Sequence, residues 1–302
     1  MNPRYKDYSE YLGEKFPGMK VQKLSVNAGF SCPNRDGTIG HGGCIYCDNT
    51  SFTPRYCNAA DSVECQIRKG REFFAGKYPD MKYLAYFQSF TGTHARAVEA
   101  LESLYAEALA QDDVVGIIIG TRPDCLPPHV LDLLEDINRR RPVIVEIGAE
   151  TSHDATLRLI NRCHTWRQVE EAAGALASRG IDCGLHLIAG LPGEDDDDVL
   201  LTVERACALP ISSIKMHQLQ IIRNTPLHRL YEEGRMKIAP YTVDGYLDLC
   251  VRIVQTVGRR VAIERFVSSA PPEMVVAPRW GLKNYEFTHL LLNRLTAGDA
   301  IK

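Results

Sequence analysis

Cys32, Cys44 and Cys47 are the residues of this sequence most suited to chemistry. They stand in GFSCPNRDGTIGHGGCIYCDN, with eleven residues in the first gap and two in the second. Glycines at 29, 37, 40, 42 and 43 let this loop fold tightly, because a residue without a Cβ brings backbone close and accepts positive φ. Thiolates are soft ligands that suit zinc or iron–sulfur clusters. Three chemistries fit the spacing. A closed zinc site would draw a fourth ligand from Cys57, Cys65 or His41. A redox pair at Cys44–Cys47 would leave Cys32 without a role. Three cysteines with no clear fourth fit a cluster with one iron open to a cofactor or substrate.

These cysteines must be held by regular elements. Short β-rich runs alternate with helical patterns: Val21–Asn27, Lys82–Gln88, Val114–Gly120, Val143–Gly148, Cys183–Ala189 and Ser213–Leu219 read as strands. The third, VVGIIIG, suits a parallel strand buried on both faces. Between them, Ala95–Gln111, Pro128–Arg140, Trp166–Arg179 and Glu194–Leu209 read as helices. The run GEDDDD opening the last of these offsets the positive end of the helix dipole. Six β-α units in series predict a parallel sheet with helices outside, as a barrel or an open sheet. Beyond residue 223 the pattern is helical, with helices expected at Tyr241–Gly258 and Asn284–Leu295. The cysteine loop directly follows the first strand, at the end where α/β barrels keep their active sites.

Bulk properties narrow the function. The chain has 302 residues, 45% of them apolar, and a net charge of −3. A large core is expected, and any nucleic-acid contact must be a local patch. Arg259, Arg260, Arg265, Arg279 and Lys283 are candidates for one. Ten cysteines in a chain of this length argue against a secreted disulfide framework. No secretory pattern opens the sequence and no apolar run reaches membrane-spanning length, so a cytoplasmic protein without a membrane partner is expected.

The cysteine segment resembles the cluster loop of the radical SAM superfamily, and the chain is similar to the YhcC/YtqA-like family within it. It departs from the usual C-x3-C-x2-C by its long first gap. The similarity continues in order through YFQSFTGTH, GTRPDCL, EIGAETSHDATLRLINRCHT, GLHLIAGLPGE, IKMHQLQIIRNTPLHRLYEEG, IERF and APRWGLKN. It implies a partial TIM-type (β/α)6 barrel over 1–223, with the cluster loop at 29–48, and a helical C-terminal extension over 224–302 that packs on or caps the barrel.

The resemblance implies two cofactors, a 4Fe–4S cluster on Cys32, Cys44 and Cys47, and S-adenosylmethionine (SAM) on its open iron. Reductive cleavage would yield a 5′-deoxyadenosyl radical, with electrons from a flavodoxin or ferredoxin. Tyr46 would pack near the adenine. The turn holding Gln88, Ser89, Thr91 and Gly92 matches the position of the motif that contacts the SAM amino group. Glu150 would take an amino or ribose group, Arg162 the carboxylate, and Gly190 would shape the wall near the adenine. Lys215 and His217 lie two apart on one strand and so share a face. With Arg122 and Asp124 they are substrate-side candidates.

The family is also similar to the radical SAM half of the elongator catalytic subunit, which points to tRNA wobble uridine as substrate. A small-molecule substrate is the alternative within the same chemistry. A zinc-stabilised binding domain is the alternative outside it.

Overall fold

A computed structural model describes residues 4–74, 80–95, 97–268 and 270–299 of the chain, with side chains described to residue 296. Strands β1 (Val21–Val26), β2 (Lys82–Phe87), β3 (Val114–Thr121), β4 (Val143–Glu150), β5 (Asp182–Ala189) and β6 (Ser213–Gln218) fall within two residues of the expected runs. All pair in parallel, in chain order. The connecting helices are α3 (Val98–Leu109), α4 (Pro128–Asn138), α6 (Trp166–Ala177) and α7 (Asp196–Cys207), together with the unanticipated α2 (Val63–Phe74) and the short α5 (Asp154–Leu159). Asp195 caps α7 by accepting from the amides of Asp197 and Asp198, so the acidic run is a helix start.

The sheet has seven strands rather than six. The seventh, β8 (Ala262–Ile263), pairs with β6. Two residues carry no periodic signal, and here tertiary contact sets the strand: the Ile263 amide donates to the Lys6 carbonyl at 2.9 Å. The chain then enters α1 (Tyr8–Lys15), whose N-terminus Asp7 caps.

The seven strands curl into a half-barrel. Strand parity puts Leu24, Ile117, Val145, Leu185 and Ile214 outward, under the helices, in one large apolar core. The inward set is divided along the barrel axis. Tyr8, Tyr11 and Phe16 plug the N-terminal end against Leu84, Tyr86, Ile118, Ile144 and Ala262. Above that plug the interior becomes polar. Lys23 of β1 reaches Glu146 of β4 and Glu264 beyond β8, both at 2.6 Å, a reach that requires the curl.

The C-terminal segment packs on this frame. Helix α9 (Val243–Val257) lies against α7, and α10 (Asn284–Asp299) lies against α9. Trp280 stacks on Phe287, and the Tyr246 hydroxyl donates to the Phe266 carbonyl at 2.6 Å. The proline-rich stretch forms β9 (Val275–Ala277), antiparallel to β7 (Ile221–Ile222). Helix α8 (Pro226–Glu232) follows β7. No helix of the described residues is long and apolar enough to cross a membrane.

Candidate active site

The loop after β1 is clamped to the turn between α5 and α6. Asn34 is fully buried, and its side-chain amide donates to the Asn161 carbonyl at 2.5 Å. Asn161 in turn donates to the carbonyls of His41 and Gly43, at 3.1 and 2.8 Å. Asn161 holds φ at +55°, a left-handed conformation that asparagine tolerates better than most residues. The Ile45 amide closes the clamp on the Ile160 carbonyl at 3.1 Å.

So held, Cys32, Cys44 and Cys47 line one cavity of about 350 Å³ at the C-terminal rim of the strands. Two guanidinium groups attend them. Arg35 donates to the Cys47 carbonyl at 2.7 Å and lies close to all three sulfurs. Arg162 donates to the Cys44 sulfur at 3.5 Å. Burial, with the neighbouring Cys44 sulfur second, pushes the Cys47 thiol up to about 12, against the pull of Arg35 and Arg162. Binding a metal centre here would therefore release a proton from Cys47.

Among the described residues, no three His, Cys, Asp or Glu side chains are placed to hold one metal ion. Cys57 is elsewhere: its buried thiol donates to the Ser25 carbonyl at 3.0 Å, and burial raises it to about 12. Cys65 lies on α2, beside Arg68. Replacing Cys57 or Cys65 by Ala is expected to leave metal content unchanged, at a stability cost of about 1–2 kcal/mol for Cys57. Iron and sulfide analysis checks this; loss of either from one variant would add a fourth ligand.

Gln88, Thr91, Glu150, Arg162 and Tyr46 line the same cavity, as do Arg122 and His217. Glu150 ends β4 at φ +68°, a strained left-handed conformation, with its carboxylate 3.1 Å from Arg162. Arg162 is heavily engaged. Besides Cys44 it donates to the Gly148 carbonyl at 2.5 Å and to His164 at 3.1 Å. A Cβ on Gly148 would meet its Nη2 at 2.4 Å, which accounts for the glycine. Arg122 grips Asp124 with two bonds, at 2.8 and 2.7 Å, and donates to the Arg162 carbonyl at 2.9 Å. Its Nη1 is buried without a partner. Arg122 thus has a whole nitrogen, Nη1, without an acceptor, whereas each nitrogen of Arg162 has at least one.

The remaining expected residues lie apart from this wall. Ser89 is buried against Thr53, and Gly92 packs against the Gly120 carbonyl. Gly190 lines a separate open cleft with Tyr241 and Asp195. Lys215 sits below the cavity floor in an ionic network. Of the five basic candidates, Arg265 lines the cavity and Arg259 pairs with Glu10 of α1.

That network centres on a residue the sequence did not single out. Glu146 accepts from Lys23 at 2.6 Å, Tyr86 at 2.7 Å, His186 at 2.7 Å and Lys215 at 3.0 Å. Burial alone would raise its carboxyl, but Lys215, Lys23 and His186 hold it well below the usual range. A lone Glu in the apolar run VIVEIG was the available signal, because a charge there must be paired.

Known proteins align with this arrangement. Residues 36–206 match the family model of the radical SAM superfamily, and 211–297 that of the radical SAM C-terminal domain. The chain is 38% identical to the uncharacterized protein YtqA of Bacillus subtilis, over 94% of this chain and 87% of that one. It is 37% identical to protein YhcC of Escherichia coli K12, over 87% and 83%. The solved archaeal Methanocaldococcus infernus Elp3, lacking its N-terminus, shares the fold at a TM-score of 0.70 and 16% identity. That likeness covers 93% of this chain and 64% of that one, just under two thirds of its length.

Proposed function

Because the chain belongs to the radical SAM superfamily, whose members use a 4Fe–4S cluster and SAM, we propose that Cys32, Cys44 and Cys47 are its cluster ligands and that the cavity beside them receives SAM. The supporting observation is that the three thiols share one cavity wall with Arg122, which has a buried donor without an acceptor. A buried donor left unmatched costs about 1–3 kcal/mol, so a ligand acceptor there is favoured. When bound, the cluster and SAM supply one-electron cleavage of SAM and a radical that abstracts hydrogen from substrate.

The chain's own groups do the rest. Arg35 and Arg162 hold positive charge beside the sulfurs and favour their thiolate forms. Arg122 takes the SAM carboxylate, with Asp124 fixing the plane of its guanidinium. Glu150 accepts from the SAM amino or ribose groups. Tyr46 and Gln88 close the wall around them. The Tyr46 hydroxyl stays protonated, since burial, with Glu150 next, raises it well above its usual value. His217 faces the substrate side, and Lys215 supports it from the buried network beneath. With a division at 223, the first part would hold the cofactors, and the second, through β8, Arg265 and Ser268, would complete the sheet and the substrate side.

The likeness to Elp3 supports a modified wobble uridine of tRNA as the substrate. Transfer RNA from cells lacking this protein is expected to carry an undermodified wobble uridine, seen as a shifted nucleoside by mass spectrometry of digests. An unchanged nucleoside profile would remove the tRNA reading and favour a small-molecule substrate. A reductant of the flavodoxin or ferredoxin type is part of the same proposal.

A further inference from the structure

The cavity floor contains an unbalanced charge. Lys23 and Lys215 each contact both Glu146 and Glu264. Glu146 already accepts four hydrogen bonds, which is about the number of lone pairs a carboxylate offers. Two lysines and two glutamates therefore balance one another. Arg265, the next residue after Glu264, is left out of this account. Among the described residues, no carboxylate lies within ion-pair distance of it, and its Nε is buried with no acceptor.

Its nearest polar neighbour is no substitute for an anion. Arg265 Nη2 faces the two ring nitrogens of His217 at 3.3 and 3.5 Å. The Ser268 hydroxyl donates to the Gln218 carbonyl at 3.1 Å, so its oxygen accepts from His217 Nδ1 at 3.1 Å. Only Nε2 of that ring then has a lone pair for Arg265, at the longer distance. His217, His186, Ser268 and Arg265 all line the cavity. A guanidinium carries five donors in a planar fork that matches an oxyanion, and a charge in such a place is costly until paired.

We propose that Arg265, flanked by His217 and Ser268, is the subsite for an oxyanion of the substrate, a carboxylate or a phosphate. This rests on the radical-enzyme reading and names the substrate's charge: the molecule that enters beside SAM is anionic at this end. Arg122 lies on the wall with Cys44 and Arg162, whereas Arg265 belongs to the segment after β8, so one anion is taken by each.

The test uses reconstituted enzyme with SAM bound. Acetate and inorganic phosphate are titrated separately and followed by calorimetry, with SAM binding read independently by electron paramagnetic resonance (EPR). The wild type is expected to take up one anion per chain. Arg265→Gln is expected to weaken it about tenfold or more, the loss expected of a charge-assisted bond, and Arg265→Lys to restore part of it. The stronger of the two anions identifies carboxylate or phosphate. SAM-induced EPR changes are expected to be the same in wild type and Arg265→Gln. The subsite is overturned if neither anion binds, or if Arg265→Gln binds it as tightly as wild type. It is also overturned if the SAM signal is lost with Arg265, because the guanidinium then serves SAM. A wild type that shows no SAM response at all would contradict the radical-enzyme reading itself.

Discussion

Cys47→Ala is expected to fold and to assemble no 4Fe–4S cluster, with complete loss of 5′-deoxyadenosine formation. Cys32→Ala and Cys44→Ala are expected to do the same. On the proposed ligand set all three thiolates would be needed to hold the cluster, and neither of the next cysteines in sequence is placed to stand in. Cys57 is committed to the Ser25 carbonyl and Cys65 lies on α2. The fold should survive, because the short bonds of the loop clamp run from the Asn34 and Asn161 side chains to backbone carbonyls that these substitutions keep. Iron and acid-labile sulfide analysis after anaerobic reconstitution measures this. A Cys47→Ala protein with a full complement of iron and sulfide would show that the ligand set is different.

The second large effect is on stability. Glu146→Gln is expected to destabilise the protein by about 3–5 kcal/mol, the cost of removing one partner from a buried ionic network. Lys23 and Lys215 would then share Glu264 alone, and Tyr86 and His186 would lose a charged acceptor. Urea unfolding of the two proteins gives the difference directly, and a loss below about 1 kcal/mol would mean that water replaces the carboxylate. The pH dependence has a definite sign. The Glu146 carboxyl is held below its ordinary 4.5 in the folded chain. Its contribution is therefore complete above that value and is lost as pH falls through the lower, folded value. Wild type should lose this increment in acid, and Glu146→Gln, having lost it already, should show a flatter acid limb.

The six long strands were legible as short runs of β-branched, aromatic and other apolar residues between helical patterns, and each observed strand lies within two residues of its expected limits. Strand β8 was not legible. It has two residues, and its place is set by β6 on one side and by Lys6 and Asp7 on the other. Helix α1 plugs the barrel with tyrosines, and Asp182 accounts for one of them by accepting from the Tyr11 hydroxyl at 2.5 Å.

Motifs point to Gln88 and Glu150 at strand ends and to Arg162 in the turn between α5 and α6, and the three line one cavity. What sequence could not supply was the wiring. Every nitrogen of Arg162 is engaged, by Cys44, Gly148, Glu150 and His164, while Arg122 has one nitrogen with no partner. Glu146 and Arg265 gain meaning only when the sheet curls and brings β1, β4, β6 and the end of β8 around one interior.

The most direct measurement is low-temperature EPR of anaerobically reconstituted, dithionite-reduced protein, with and without SAM, with 5′-deoxyadenosine assayed in the same samples. A reduced-cluster signal that shifts when SAM is added, with the nucleoside formed, is the predicted result. A protein that carries tightly bound zinc, no acid-labile sulfide and no such signal would contradict the assignment of Cys32, Cys44 and Cys47.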